Sequence, residues 1–202
     1  MFRRWMVVSL ALLTTGCGYN RIQELDERAQ AYQGQIEVQL QRRADLIGNL
    51  VETVKGYAAH EEQVFTSVAQ ARAGLMGAVR SGDSESMANA NAQLTGALGR
   101  LFAVVEAYPN LKADQGFLRL QDELTGTENR VAVSRNDYNA AVNEYNAYIR
   151  RFPAVITAKV TGAKPRKYFT AAPGSTEAPK VDFSRPTPPA PPTTPPPATK
   201  AP

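Results

Sequence analysis

The 202-residue sequence predicts an all-α protein: an antiparallel up-down four-helix bundle with long first and fourth helices, an N-terminal lipoprotein signal and a C-terminal Pro-rich disordered tail. Three observations predict it. Proline is absent from Tyr19 to Ala107 and again from Asn110 to Phe152. Across those stretches apolar residues recur at the spacing of one helix face. Sustained apolar/polar alternation is missing, while the good helix formers Ala, Gln, Glu, Arg and Leu are abundant.

Residues 1–16 read as a signal peptide. Arg3 and Arg4 form a positive head, Trp5 to Leu13 an apolar run broken by Ser9, and Thr14-Thr15-Gly16-Cys17 follows at once. The run is too short for the ~30 Å hydrocarbon core, which takes about 20 helical residues. The layout therefore predicts a lipobox, with diacylglycerol on the Cys17 thioether, cleavage after Gly16 and acylation of the new amine, since stable anchoring needs two or more chains. Thr14 stands three residues before the cysteine, where a branched aliphatic residue is usual.

Residues 17–153 read as the bundle. The first stripe runs Ile22, Leu25, Ala29, Tyr32, Ile36, Leu40, Ala44, Ile47, Val51, Val54, Ala58 and averages about 3.6 residues per step. A second uses Val64, Phe65, Val68, Leu75 and Val79, and stops at the turn sequence Ser81-Gly82-Asp83-Ser84. A third, Met87, Leu94, Leu98, Leu101 and Val105, closes at Tyr108-Pro109, because the residue before proline is pushed out of the α region. The fourth runs from Phe117 through Leu124, Val131, Tyr138, Val142, Tyr145 and Ile149 to Phe152 and ends at Pro153. Short connections favour antiparallel neighbours, which brings the start of helix one and the end of helix four to the Cys17 end. A two-helix stalk near the lipid and a four-helix head beyond it are expected. Whether helices one and two are continuous through His60-Glu61-Glu62 is open at this stage.

Residues 154–185 form an extension, read as Gly/Pro/Lys-containing coil and expected to pack partly on the bundle, with Tyr168, Phe169, Val181 and Phe183 as apolar anchors. Residues 186–202 hold nine of the 14 prolines and read as a solvated polyproline spacer.

Charge and composition narrow the function. The single Cys and single His exclude an internal disulfide and a zinc cluster, which needs about four thiolate or imidazole ligands. Residues 17–152 carry 14 Lys/Arg against 17 Asp/Glu, whereas residues 153–202 carry 7 against 2. A mildly acidic body with a basic tail speaks against nucleic-acid binding. The basic tail starts at the membrane end of this topology, where it is placed to touch anionic lipid. His60 beside Glu61 and Glu62 lacks the second His-containing motif a di-iron bundle needs. Gly82-Asp83-Ser84 is followed by Glu85-Ser86, a loop rather than a nucleophile elbow, and no phosphate-cradling glycine motif occurs. No catalytic, metal or cofactor residue is assigned.

The remaining polar pattern is Arg42, Arg43, Asp45, Glu128, Arg135, Asn139 and Asn146. Asn139 and Asn146 stand seven apart beside Tyr138 and Tyr145, close to the core stripe. Two roles suit these residues: fixing helix register at some cost in stability, or forming a partner face.

Several strings resemble the LemA family: Tyr19-Asn20; Arg42-Arg43-Ala44-Asp45-Leu46-Ile47 with Asn49-Leu50-Val51; Tyr57-Ala58-Ala59-His60-Glu61; Glu106-Ala107-Tyr108-Pro109-Asn110-Leu111; Thr127-Glu128-Asn129-Arg130; Arg135-Asn136-Asp137-Tyr138-Asn139; Tyr145-Asn146; Phe152-Pro153; and Pro179-Lys180-Val181-Asp182-Phe183. Gly48 stands where the family usually has Pro. The resemblance implies a membrane-associated bacterial protein with a helical bundle outside the cytoplasm and no established catalytic activity. The resulting expectation is a non-enzymatic envelope lipoprotein, held to lipid through Cys17, whose bundle serves envelope or membrane protein partners. The competing expectation is an envelope enzyme, or an accessory subunit of one, using a carboxylate acid/base site. Gly18 after the cysteine, in place of an Asp retention signal, favours an outer over an inner membrane.

Overall fold

The structure is a computed structural model and describes the backbone of residues 2–170 and the side chains of residues 18–170. The Cys17 side chain, Val181, Phe183 and the Pro-rich tail lie outside the described residues. Those described are helical or irregular, with no strand among them. Helix α1 spans Phe2–Lys55, its backbone passing without a break through residues 14–17. It stops where Gly56 opens a turn in which the Tyr57 and Ala58 N–H groups donate to the Val54 carbonyl (3.0 and 2.9 Å). Ala58 is buried beneath that turn. Helix α2, Glu62–Ser81, is therefore separate from α1.

Helices α2 and α3 form a tight hairpin. Gly82 ends α2 at φ 67°, a left-handed value that favours glycine, and its N–H donates to Val79. Asp83 then caps α3, Ser84–Val105, accepting from the Ser86 N–H at 2.9 Å. A one-turn α4, Pro109–Lys112, opens on the proline that closed α3. Asp114 caps α5, Gln115–Tyr148, accepting from the Phe117 N–H at 2.9 Å. Helix α5 ends four residues before the expected Phe152, and Ala154–Thr161 form a further short helix, α6, in a region read from sequence as coil. Gly162, at φ 72°, ends it, and residues 163–170 run on without helical structure.

Helices α1 and α5 lie antiparallel. Arg21 pairs with Glu144 near one end and Arg42 with Glu123 some 21 residues further along α1. The α2–α3 hairpin covers only the distal part of this pair, its turn resting on α1 where the Gln33 amide donates to the Gly82 carbonyl at 2.8 Å. Above that level lies one large core, in which Ile36, Leu40, Ile47, Leu50 and Val54 of α1 meet Val68 and Leu75 of α2, Met87, Leu94 and Leu101 of α3, and Leu124, Val131 and Tyr138 of α5. Below it a small second core holds Ile22, Leu25, Tyr145, Ile149 and Ala158. The proximal part is thus more than a helix pair: α6 and the segment after it pack against α1 and α5. The reason is covalent and steric, since the turn at Arg150–Pro153 sends the chain back along the same helices, and Ala154 and Ala158 are small enough to let α6 approach.

Candidate functional site

Residues 164–169, hereafter the strap, lie against α5 and are gripped by it through a repeated Tyr-Asn unit. The Tyr145 hydroxyl donates to the Lys164 carbonyl at 3.1 Å. One residue on, the Asn146 amide donates to the Arg166 carbonyl and its oxygen accepts the Arg166 N–H, both at 2.9 Å. A heptad earlier, the Tyr138 hydroxyl donates to the Lys167 carbonyl at 2.8 Å. Asn139 meets both backbone groups of Phe169, at 3.1 Å through its amide and 2.8 Å through its oxygen. The two pitches match: seven helical residues rise about 10.5 Å, and three extended residues span about 10 Å. Each Tyr-Asn unit therefore captures three residues of an antiparallel strap through its backbone alone.

Side chains then lock the register. Arg166 makes a bidentate ion pair with Asp26 of α1 at 2.6 and 2.9 Å, and the hydrogen bond to Asp26 raises the guanidinium's pKa against the opposing effect of burial. Burial, reinforced by the Asp26 charge and opposed by Arg166, pushes the Tyr145 hydroxyl up, so it stays a donor at neutral pH. Lys167 reaches Asp83 and Glu85 at the start of α3 (3.3 and 3.2 Å), and both carboxylates raise its pKa. Ser84 of that turn is buried and donates to the Tyr138 hydroxyl at 2.9 Å, a structural role far from any nucleophile chemistry. Of the expected anchors, Phe169 is buried in the main core, whereas Tyr168 is exposed.

Arg43 occupies the other organised polar site. Its guanidinium is almost fully buried, although Arg42 beside it is more than half exposed. It donates to Asn91 and Thr95 of α3 and pairs with Glu128 of α5, tying three helices together. Its Nε has no partner among the described residues. Burial lowers its pKa and Glu128 partly restores it. A cavity of about 350 Å³ opens beside it between α3 and α5, walled by Leu98, Gly99, Phe102, Leu124 and Thr125.

A cleft of about 820 Å³ lies between α1 and α2. Val51, Phe65 and Val68 form its apolar floor, and Asp45, Asn49, Glu52, Glu62 and Arg72 its polar walls. Arg72 folds over Gly48 and donates through Nε to the Ala44 carbonyl at 2.7 Å. The cleft gathers three carboxylates, the feature an acid/base site would need. Yet Glu52 is exposed and paired with Lys55 at 2.7 Å, and Asp45 is exposed and faces Arg72 at 3.7 Å.

The structure therefore separates the seven polar residues singled out in the sequence. Asn139 and Asn146 are the strap clamp, Arg43 and Glu128 the buried network, and Asp45 a wall of the α1–α2 cleft. Arg42 faces Glu123 at 3.9 Å on the surface, and Arg135 is half-buried on α5, one turn before Asn139. Tyr138 and Tyr145 of the clamp are read from sequence only as core residues, and the strap only as coil. The heptad repeat of Tyr-Asn was the signal available. His60 is exposed in the α1–α2 turn, and among the described residues no group of three or more His, Cys, Asp or Glu is arranged to hold a metal.

Among the described residues the body is all-helical and its organised polar residues serve its own backbone and helix contacts, which defines the class as an all-α helical protein. The LemA family model matches residues 32–183, and the chain belongs to the LemA family. Among similar proteins are two magnetosome proteins of Paramagnetospirillum magneticum, MamQ 1 and MamQ 2, each 33% identical over an alignment covering 77% of this chain. The magnetosome protein MamQ of Magnetospirillum gryphiswaldense is 31% identical over the same share. The alignments cover 65% of the length of these relatives, short of two thirds.

Proposed function

We propose that this protein is a non-enzymatic, membrane-tethered envelope scaffold: acyl chains on Cys17 hold it to the membrane, and the distal head engages protein partners. The observation that carries the reading is the single helix α1, which runs from the lipobox to Lys55. At 1.5 Å per residue it sets the near edge of the head, at Gln33, roughly 24 Å from Cys17 and its far end roughly 57 Å away. The clamped strap and α6 stiffen the proximal half, so that lipid and head are held apart rather than joined by a loose linker. Family membership and the magnetosome relatives support association with a membrane. Among the described residues no helix is long and apolar enough to cross one. Gly18 after the cysteine favours the outer membrane where the cell has one.

The α1–α2 cleft, open and lined by paired charges over an apolar floor, suits a protein partner better than a reaction. Acid/base catalysis works best with a carboxylate whose pKa is brought near the working pH, for which enzymes use burial and neighbouring charge. Asp45 and Glu52 are instead exposed and ion-paired. Intact-mass analysis of the mature chain tests the anchor, with the expected result an N-terminal acylated Cys17. For the head, a photo-crosslinker replacing Asn49 or Thr66 in intact cells should yield a reproducible protein adduct that the same probe at Val133 does not. An adduct pattern identical at all three positions, or none at any, rejects the scaffold reading.

A further inference from the structure

Helix α6 has its amphipathicity inverted. The residues it turns toward α1 and the small core are Ala154 and Ala158, whereas Phe152, Ile156 and Val160 are exposed to 82%, 54% and 83%. Ile156 and Val160 stand four apart on one face of α6, and Phe152 is exposed in the turn that leads into it. A soluble surface places large apolar side chains singly, and a stripe of this kind marks an interaction site. Two further observations name what it meets. Thr157 of α6 lies beside Gly18, where an added Cβ would sit 3.3 Å from its hydroxyl oxygen, so the stripe is level with the Cys17 end of α1. Arg150, Arg151, Lys159 and Lys164 are all exposed around it. The nearest acidic side chain on α5, Glu144, is already engaged by Arg21 and Arg28 at 2.7 and 3.1 Å.

We infer that α6 is an interfacial helix, and that Phe152, Ile156 and Val160 insert into the membrane while the surrounding cations meet anionic headgroups. An apolar stripe flanked by Lys and Arg is the composition that lies in the plane of a bilayer surface. The inference rests on the tethered reading and adds orientation to it. A chain held only by acyl groups at Cys17 would swivel, whereas a second contact through α6 fixes the tilt of α1 and the direction in which the head points.

The test uses the acylated chain, which cleavage after Gly16 leaves without tryptophan because Trp5, the only one, lies upstream. Single reporters Ile156→Trp, Val160→Trp and, in the head, Val38→Trp are reconstituted with phosphatidylcholine/phosphatidylglycerol vesicles carrying brominated acyl chains. The expected result is blue-shifted, bromine-quenched emission at positions 156 and 160 and neither at 38. Adding Val160→Asp to the Ile156→Trp protein should weaken this insertion about tenfold, the order expected for losing one buried Val and adding a charge. The melting temperature should hold, because Val160 does not pack on the bundle. Vesicle-bound protein whose position-156 emission matches that at position 38 overturns the inference and leaves the tether standing. Emission already blue-shifted before lipid is added, and unquenched after, means protein covers the stripe and also overturns it. Protein that fails to float with vesicles overturns the tether and this inference together.

Discussion

Replacing Asn146 by Ala removes both hydrogen bonds that hold the Arg166 peptide unit, each 2.9 Å long. Asn146 is buried, so water does not simply take its place. Each such bond is worth about 1 kcal/mol net, and a backbone group left unpaired in a partly buried site costs somewhat more, giving roughly 2–3 kcal/mol in total. For a chain of this size that lowers the melting temperature by about 5–10 °C. The informative assay is urea unfolding of Asn146→Ala in two backgrounds, the full chain and a chain ending at Gly162. If Asn146 acts as a clamp, the loss appears in the full chain and is nearly absent in the shortened one, because the partner is gone. Asn146→Asp keeps an acceptor for the Arg166 N–H but sets an oxygen against the Arg166 carbonyl, so it should rescue little. An equal loss in both backgrounds would refute the clamp and assign Asn146 to the bundle interior. A loss under about 0.5 kcal/mol in the full chain would show that the strap contributes nothing through this residue.

Glu128→Ala deprives the buried Arg43 of its carboxylate and should cost about 2–3 kcal/mol, a figure discounted because Glu128 is half exposed, whereas Arg42→Ala should stay within about 0.5 kcal/mol. Chemical denaturation of the two variants side by side checks the contrast. Hydrogen bonds from Ser86 hold the Asp83 carboxyl below the usual range, and those from the Phe117 N–H and the Tyr57 hydroxyl do the same for Asp114. Depressed folded values mean that the stability these caps contribute is present above the unfolded value, about 3.9, and fades as pH falls through the folded ones. The double variant Asp83→Asn/Asp114→Asn should therefore flatten the acid limb of a urea-midpoint profile while leaving both caps in place. Gly74 and Gly77 lie exposed within α2, with nothing within 4 Å of an added Cβ. Changing each to Ala should stabilise the fold by roughly 0.5–1 kcal/mol, read as a rise in melting temperature.

The helices were legible because burial of one face writes a period into the sequence. Ile36, Leu40, Ile47 and Val54 on α1, or Leu94, Leu98 and Leu101 on α3, had to be apolar for the core to form, and Gly82 and Pro109 had to stand where the chain turns. Helix α6 was illegible for the converse reason. Its inward residues are alanines and its large apolar residues point outward, so the stripe carries no core signal, and Pro153 read as a stop rather than as the residue before a new helix.

The sequence by itself determined the helical class and the turns, because each depends on residues close together in the chain. Only the tertiary structure decided which of two adjacent arginines is buried. The roughly 100° between consecutive helical positions turns Arg43 toward α3 and α5 and leaves Arg42 at the surface. It likewise decided the role of Asn139 and Asn146. Their partners are peptide groups of Phe169 and Arg166, which every residue carries alike, so no side-chain pattern announces them. A backbone-directed contact between segments 20 to 30 residues apart becomes visible only when the chain has folded back and brought the two pitches into register.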